Sequence, residues 1–281
     1  MRHELRRFAV FAALTIAASW LYWLVVLASA RGLIAHQVPL TPFGSFGPAL
    51  AAVATALLFG GRRDLILLFR RLLPRGVTWV GLAIALLGWP ALVGAAIAIS
   101  SLAGVPLTTG HFPLRVVPAA FAEVFIFTAL GEELGWRGYA LPALLTAVRP
   151  VTASVLIGAL WAIWHLPLWW LPGTAQAGIP FGYFALSIVA YSFIYTGVFL
   201  LTKPSIIVVM LLHTTADVSL AIAQVAWPRA TAGATFWFAY FGLVLLIGVA
   251  VAVALRGQPW ARSAPSATLS ASGMMGNTGS G

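Results

Sequence analysis

Apolar stretches of about the 20 residues a helix needs to cross a hydrocarbon core recur along nearly the whole chain. They run from about Phe8 to Ala30, Thr41 to Phe59, Val77 to Leu102, Val116 to Leu145, Val151 to Leu171, Phe181 to Leu201, Ser205 to Val225 and Thr235 to Leu255. The pattern predicts an all-α fold, a polytopic transmembrane helical bundle of about eight membrane helices. The fourth stretch is longer than a perpendicular span requires, which predicts a tilt, a break at Pro118 or a start in the interface. The first follows a basic start, Met1 to Arg7, and ends on Ala28-Ser29-Ala30. Signal peptides share both features, but an apolar run of this length suits an uncleaved anchor.

The cations between the stretches orient the bundle. With the N-terminus inside, the inner segments hold Arg2, Arg6, Arg7, Arg62, Arg63, Arg70, Arg71, Arg75, Arg149, Lys203, Arg256 and Arg262, against Arg31, Arg115 and Arg229 outside. Twelve against three is a strong positive-inside bias. It predicts both termini in the cytoplasm of a multi-pass protein, with a bacterial plasma membrane as the expected location. The stretch Gly61 to Gly76 spaces Arg62-Arg63 from Arg70-Arg71 with apolar residues. It suits either an amphipathic helix on the inner leaflet or a charged topogenic loop. After Arg262 the chain turns to Ser, Ala, Gly and Thr, the composition of a disordered tail. The expected division is therefore a membrane domain over 1–262 and a tail over 263–281.

Composition agrees. Of 281 residues, 61% are apolar and 8% charged, and the mean hydropathy is +0.98. A soluble domain is about a quarter charged. The net charge of +10 could suggest nucleic acid, but the arginines form short topogenic clusters with no basic groove, so the lipid bilayer is the expected partner and nucleic acid is not. There is no cysteine, which excludes thiolate chemistry.

Against this background the acidic residues stand out. Only Glu4, Asp64, Glu123, Glu132, Glu133 and Asp217 exist, and the last four fall within predicted spans together with Arg137, His165 and His213. A charge at mid-membrane costs roughly 2.5–3.5 kcal/mol on insertion scales, so such groups must pair, face water or do chemistry. Glu133 and Arg137 stand at i,i+4, one turn apart on one face, while Glu132 points about 100° away. His165 follows Trp161 by one turn, and Asp217 follows His213 by one turn. Glu132 lies 17 residues before Arg149, His165 16 residues after it, and His213 and Asp217 10 and 14 residues after Lys203. At about 1.5 Å per residue these depths are roughly 15–25 Å. Three helices thus bring their polar groups to one layer.

A carboxylate beside a histidine can deprotonate water and return the proton to a leaving amine. A second histidine with Asp217 can stabilise an oxyanion. Alternatively, Glu132, His165 and His213 could ligate Zn²⁺ with a water completing the site. Glu123 is nine residues from Glu132, which places it on the opposite helix face of a regular α-helix and away from the site. His3, His36 and His111 lie outside the membrane core, and the tryptophans read as packing and interfacial anchors.

At these residues the sequence resembles the CPBP or ABI membrane proteases, which include the type II CAAX prenyl endopeptidases. The first family motif, Glu-Glu-x-x-x-Arg, is met by Glu132, Glu133 and Arg137, followed by Gly138 and Pro142. The second, an aromatic residue (usually Phe) one turn ahead of a His, is met by Trp161 and His165. The third, His-x-x-x-Asn or Asp, is met by His213 and Asp217, and the resemblance spans about Phe121 to Ala221. It implies an intramembrane endopeptidase acting on membrane-associated or prenylated peptide or protein substrates. Glu132 and His165 would activate water, His213 and Asp217 would form the oxyanion pair, and Glu133 and Arg137 would support them. Family members have been described as metalloproteases, but a metal-independent glutamate mechanism is the favoured expectation, with zinc the alternative. Two other function classes suit the same charges: a proton-coupled transporter with a relay through the membrane, and a non-catalytic membrane scaffold or bacteriocin-immunity protein.

Overall fold

The structure, a computed structural model, describes residues 2–74, 76–110, 112–202 and 205–257. Arg75, His111, Lys203, Arg262 and the expected disordered tail lie outside the described residues. Among the described residues there are eight helices long and apolar enough to span a membrane and no strands. They are α1 (Arg2–Ala30), α2 (Pro42–Arg70), α3 (Trp79–Leu102), α4 (Leu114–Leu145), α5 (Pro150–Trp170), α6 (Phe181–Leu201), α7 (Ile206–Ala226) and α8 (Ala234–Gly257). The protein is a multi-pass integral membrane protein, in the number of spans that the hydropathy pattern predicts.

Every residue from Gly131 to Leu141 is buried, so the second half of α4 is the central strut of the bundle. A helix buried on all sides needs neighbours that approach closely, and two glycines permit it. A Cβ on Gly131 would lie 2.6 Å from the Ser45 carbonyl oxygen, and one on Gly135 would lie 2.5–2.6 Å from Pro48 backbone and ring atoms. Helix α2 therefore packs directly on the backbone of α4. Helix α1 packs on α2, α3 on α7, and α6 on both α5 and α8. Polar side chains pin these contacts. Thr215 on α7 donates to the Ala85 carbonyl on α3 at 2.5 Å, and the Trp20 indole on α1 donates to the Trp164 carbonyl on α5 at 2.9 Å.

The long fourth span does not break at Pro118. That proline sits in the first turn of an α-helical stretch, where its missing N–H leaves no bond unmade. The helix instead widens twice, into π turns at Val124–Ala129 and Trp136–Ala140. Leu130 N–H bonds the Phe125 carbonyl and Leu141 N–H the Trp136 carbonyl, each five residues back. Pro142 supplies no N–H to the turn before it, and the Gly138 carbonyl four residues back accepts from Arg71 instead.

Helix α2 is interrupted at Gly61, whose φ of 60° is costly for any residue with a Cβ. Beyond it, residues 62–70 form a separate helical piece with Leu68 buried and Ile66, Leu67 and Phe69 exposed. Of the two readings of Gly61–Gly76, the described residues are helical as far as Arg70 and leave the helix beyond it. Arg7 on α1 ties this piece down, donating to Asp64 at 2.6 Å and to the Tyr139 hydroxyl of α4 at 3.3 Å. His3 and His36 are exposed.

The glycine contacts make a direct prediction. Gly135→Ala should destabilise the protein by about 1–3 kcal/mol, because the added methyl overpacks a backbone contact. Gly94→Ala on α3, where a Cβ meets nothing within 4 Å, should be neutral or slightly stabilising. Thermal unfolding of the two purified variants in one detergent checks the contrast.

Candidate active site

Glu132 and Glu133 are neighbours in the chain but have different partners. Glu133 is fully buried and accepts from Arg137 Nη1 at 3.0 and 3.1 Å through its two oxygens. Its Oε1 also lies 2.9 Å from Nδ1 of His213 on α7. One carboxylate thus joins the guanidinium of its own helix to the imidazole of another. The expected Glu133–Arg137 pair is formed. The link to His213, which sequence reasoning missed, makes Glu133 a support for that histidine and not for Glu132.

Arg137 is itself enclosed. Its guanidinium carbon lies 4.9 Å from the Trp161 ring centroid and 4.8 Å from that of Tyr195 on α6, within cation–π distance of both. Its Nε and Nη2 have no hydrogen-bond partner among the described residues, so the rings and Glu133 carry its charge. Tyr195 had not been singled out from the sequence. Only its helical spacing from Tyr191, one turn away on an apolar helix, hinted at a role.

Glu132, 3% exposed, turns the other way. Its Oε2 accepts from the Trp161 indole Nε1 of α5 at 2.7 Å. Trp161 was expected only to pack, so this bond is a further feature the sequence did not announce. His165 ends the α-helical part of α5, ahead of a 3₁₀ turn over Leu166–Trp170 that contains Pro167. Its Nδ1 lies 2.8 Å from the Trp161 carbonyl oxygen. A carbonyl only accepts, so Nδ1 carries the proton and Nε2 is the nitrogen left for chemistry. The His165 ring packs at 4.6 Å on Trp164 and 5.1 Å on Phe184.

The four candidate catalytic groups are therefore gathered to unequal degrees. No hydrogen bond joins Glu132 to His165 among the described residues; both attach to Trp161, one at its indole and one at its backbone. His213 Nε2 lies 3.7 Å from Asp217 Oδ2, within ion-pair reach but too long for a hydrogen bond. Asp217 differs from the rest in that its side chain is 44% exposed. Glu123 lies apart, exposed, on a groove of about 280 Å³ lined also by Thr41, Pro42, Phe43 and Phe127.

Each of the candidate zinc ligands Glu132, His165 and His213 commits one polar atom elsewhere and keeps the other, the arrangement in which a histidine can still present Nε2 to a metal. Glu132 is bonded to an indole N–H, His213 presents Nδ1 to Glu133, and His165 presents Nδ1 to a carbonyl. No three His, Asp or Glu among the described residues lie together as ligands for one ion.

Removing one partner from a buried ion cluster strands the others. Glu133→Ala should therefore destabilise the fold by about 3–5 kcal/mol, leaving Arg137 and His213 without their shared carboxylate. Glu132→Ala, which strands only an indole N–H, should cost clearly less. Thermal or denaturant unfolding of both variants in the same detergent checks the order.

A family model described as type II CAAX prenyl endopeptidase, Rce1-like, matches residues 113–219. A CAAX prenyl protease 2 from Methanococcus maripaludis is 35% identical over 108 residues, which cover 36% of this chain and 39% of that protein. The chain thus aligns with about two fifths of the length of this curated relative. The matched span contains Glu132, Glu133, Arg137, His165, His213 and Asp217. Over the helices that build its site, this chain is similar to the type II CAAX prenyl endopeptidases, the likeness that its three motifs carry.

Proposed function

We propose that this protein is an intramembrane endopeptidase in which Glu132 activates water for attack on a peptide bond. The observation that carries the reading is the division of labour between two adjacent buried carboxylates. Glu133 is saturated by Arg137 and His213, whereas Glu132 has a single indole donor on Oε2 and keeps Oε1 for a water. The similarity to a CAAX prenyl protease over the same helices supports the reaction class.

In this mechanism Glu132 takes a proton from water as the water oxygen bonds to the scissile carbonyl carbon. The negative charge that develops on the carbonyl oxygen falls to His213 Nε2, whose other nitrogen is held by Glu133. The 3.7 Å between Nε2 and Asp217 leaves this N–H less committed than a hydrogen bond would, so it can turn to an oxyanion. Asp217 balances the imidazolium. Glu132 then returns its proton to the departing amine as the C–N bond breaks. His165, with Nε2 free, assists water and orients the substrate from α5. All of these steps use side chains of the chain itself.

A path for substrate and water is suggested by Asp217, the exposed member of an otherwise enclosed group. We place the site at a depth reached from the cytoplasmic side, with both termini cytoplasmic and a bacterial plasma membrane as the setting. The substrate is a membrane-associated peptide; a prenylated one is the case that the relative's name suggests.

Purified protein in detergent or proteoliposomes should cleave a membrane-embedded or prenylated peptide, and Glu132→Ala and His165→Ala should each reduce turnover by at least about a thousand-fold, the scale on which removal of a catalytic side chain acts. Full activity in either variant rejects the assignment. Exhaustive chelation should leave turnover unchanged, and loss of activity restored by added Zn²⁺ would replace the glutamate mechanism with a metal one. A relay through the membrane would instead appear as proton flux in proteoliposomes that the same substitutions stop.

A further inference from the structure

The residue in contact with the most members of this site is none of the ionisable ones. Trp161 donates its indole N–H to Glu132 at 2.7 Å, and its backbone carbonyl accepts from His165 Nδ1 at 2.8 Å. Its ring lies 4.9 Å from the Arg137 guanidinium and 5.7 Å, centroid to centroid, from His213. The ring is 2% exposed, wedged between Trp136 and Tyr195 at 6.4 and 5.8 Å. A side chain so enclosed has one orientation, and so has its N–H.

Buried indoles in this protein are not all satisfied in this way. The Nε1 atoms of Trp89, Trp136 and Trp164 are buried with no partner among the described residues. Trp161 is the buried indole aimed at a carboxylate. A phenylalanine in the same place would keep the ring packing and donate nothing.

We propose that the Trp161 N–H is the positioning group for Glu132: it holds Oε2, fixes the plane of the carboxylate and so determines that Oε1 is the oxygen offered to the attacking water. The inference rests on the endopeptidase reading above, in which Glu132 is the base. Trp161 does not touch the reacting atoms. Its effect is geometric, since a base displaced by about 1 Å can lose on the order of a hundred-fold in rate. Trp161 also carries His165 on its backbone carbonyl, so that Glu132 and His165 are tied to the two ends of one residue.

The test replaces the donor and keeps the ring. Trp161→Phe, and a second variant carrying 3-benzothienylalanine at 161, which substitutes sulfur for the N–H at nearly constant shape, should unfold close to the wild-type temperature. Both should lose about ten-fold or more in kcat with KM changed less than about two-fold, and the acid limb of the pH–rate profile should be displaced. Independently of turnover, the infrared carboxylate bands assigned to Glu132 by a wild-type minus Glu132→Gln difference spectrum should shift in both variants. Wild-type kcat and pH profile in the benzothienyl variant, or unshifted carboxylate bands, overturns the inference. If Glu132→Ala remains active, the endopeptidase reading fails, and the infrared result alone then decides whether Trp161 holds the carboxylate. If Glu132→Ala is inactive but both Trp161 variants are fully active, only the positioning role falls.

Discussion

The structure turns on one carboxylate that cannot reach water. Glu133 has no exposed surface, and in an environment without solvent its charge is tolerable only if neighbours answer it. Arg137 answers from its own helix and His213 from α7, and Arg137 in turn needs the faces of Trp161 and Tyr195. Four helices, α4 to α7, are thereby committed to one another around a single anion. Helix α2 packs closely on the backbone of the same stretch of α4 at Gly131 and Gly135. The proposed catalytic geometry is, on this view, a by-product of a folding requirement. Once Glu133 has settled its partners, His213 is aimed, and Glu132 is left facing elsewhere with one oxygen uncommitted.

The helices could be read from the sequence because a long apolar run in a membrane admits essentially one backbone solution. The eight stretches need no periodicity to be recognised, and the predicted and observed limits agree to within a few residues for most of them. Two departures from a plain span are informative. Helix α2 extends past Phe59 to Arg70 because Gly61 lets the chain turn and begin again as a helix, something hydropathy does not register. Helix α4 widens at two π turns without breaking, and no residue type marks a π turn as proline marks a kink.

Residue spacing shows some of the contacts within the candidate site but not its wiring. Spacing alone pairs Glu133 with Arg137, since i,i+4 neighbours meet on any α-helix. The partner of Glu132 and the second partner of Glu133 depend on the rotation of α4 relative to α5 and α7. A stretch that includes π turns has a rotation that residue counting cannot supply. Residue counting groups His213 and Asp217 with the acidic pair of α4, yet it does not distinguish an enclosed imidazole from an aspartate that meets the surface. Trp161 is legible as the aromatic of its motif but reads as packing, because the one polar atom of an indole in an apolar helix matters only when something is placed opposite it.

The π turn at Val124–Ala129 has a consequence for how sequences related to this one can vary in length. Adding or removing a residue in a regular α-helix rotates everything beyond it by about 100°, enough to swing a carboxylate out of a cluster. A turn that already bonds five residues back can tighten to four when one residue is lost, with the helix beyond it staying in phase. Chains that differ by a single residue between Glu123 and Glu132 can therefore keep the same constellation. An alignment of such chains is physically sensible only if it places the gap inside that turn.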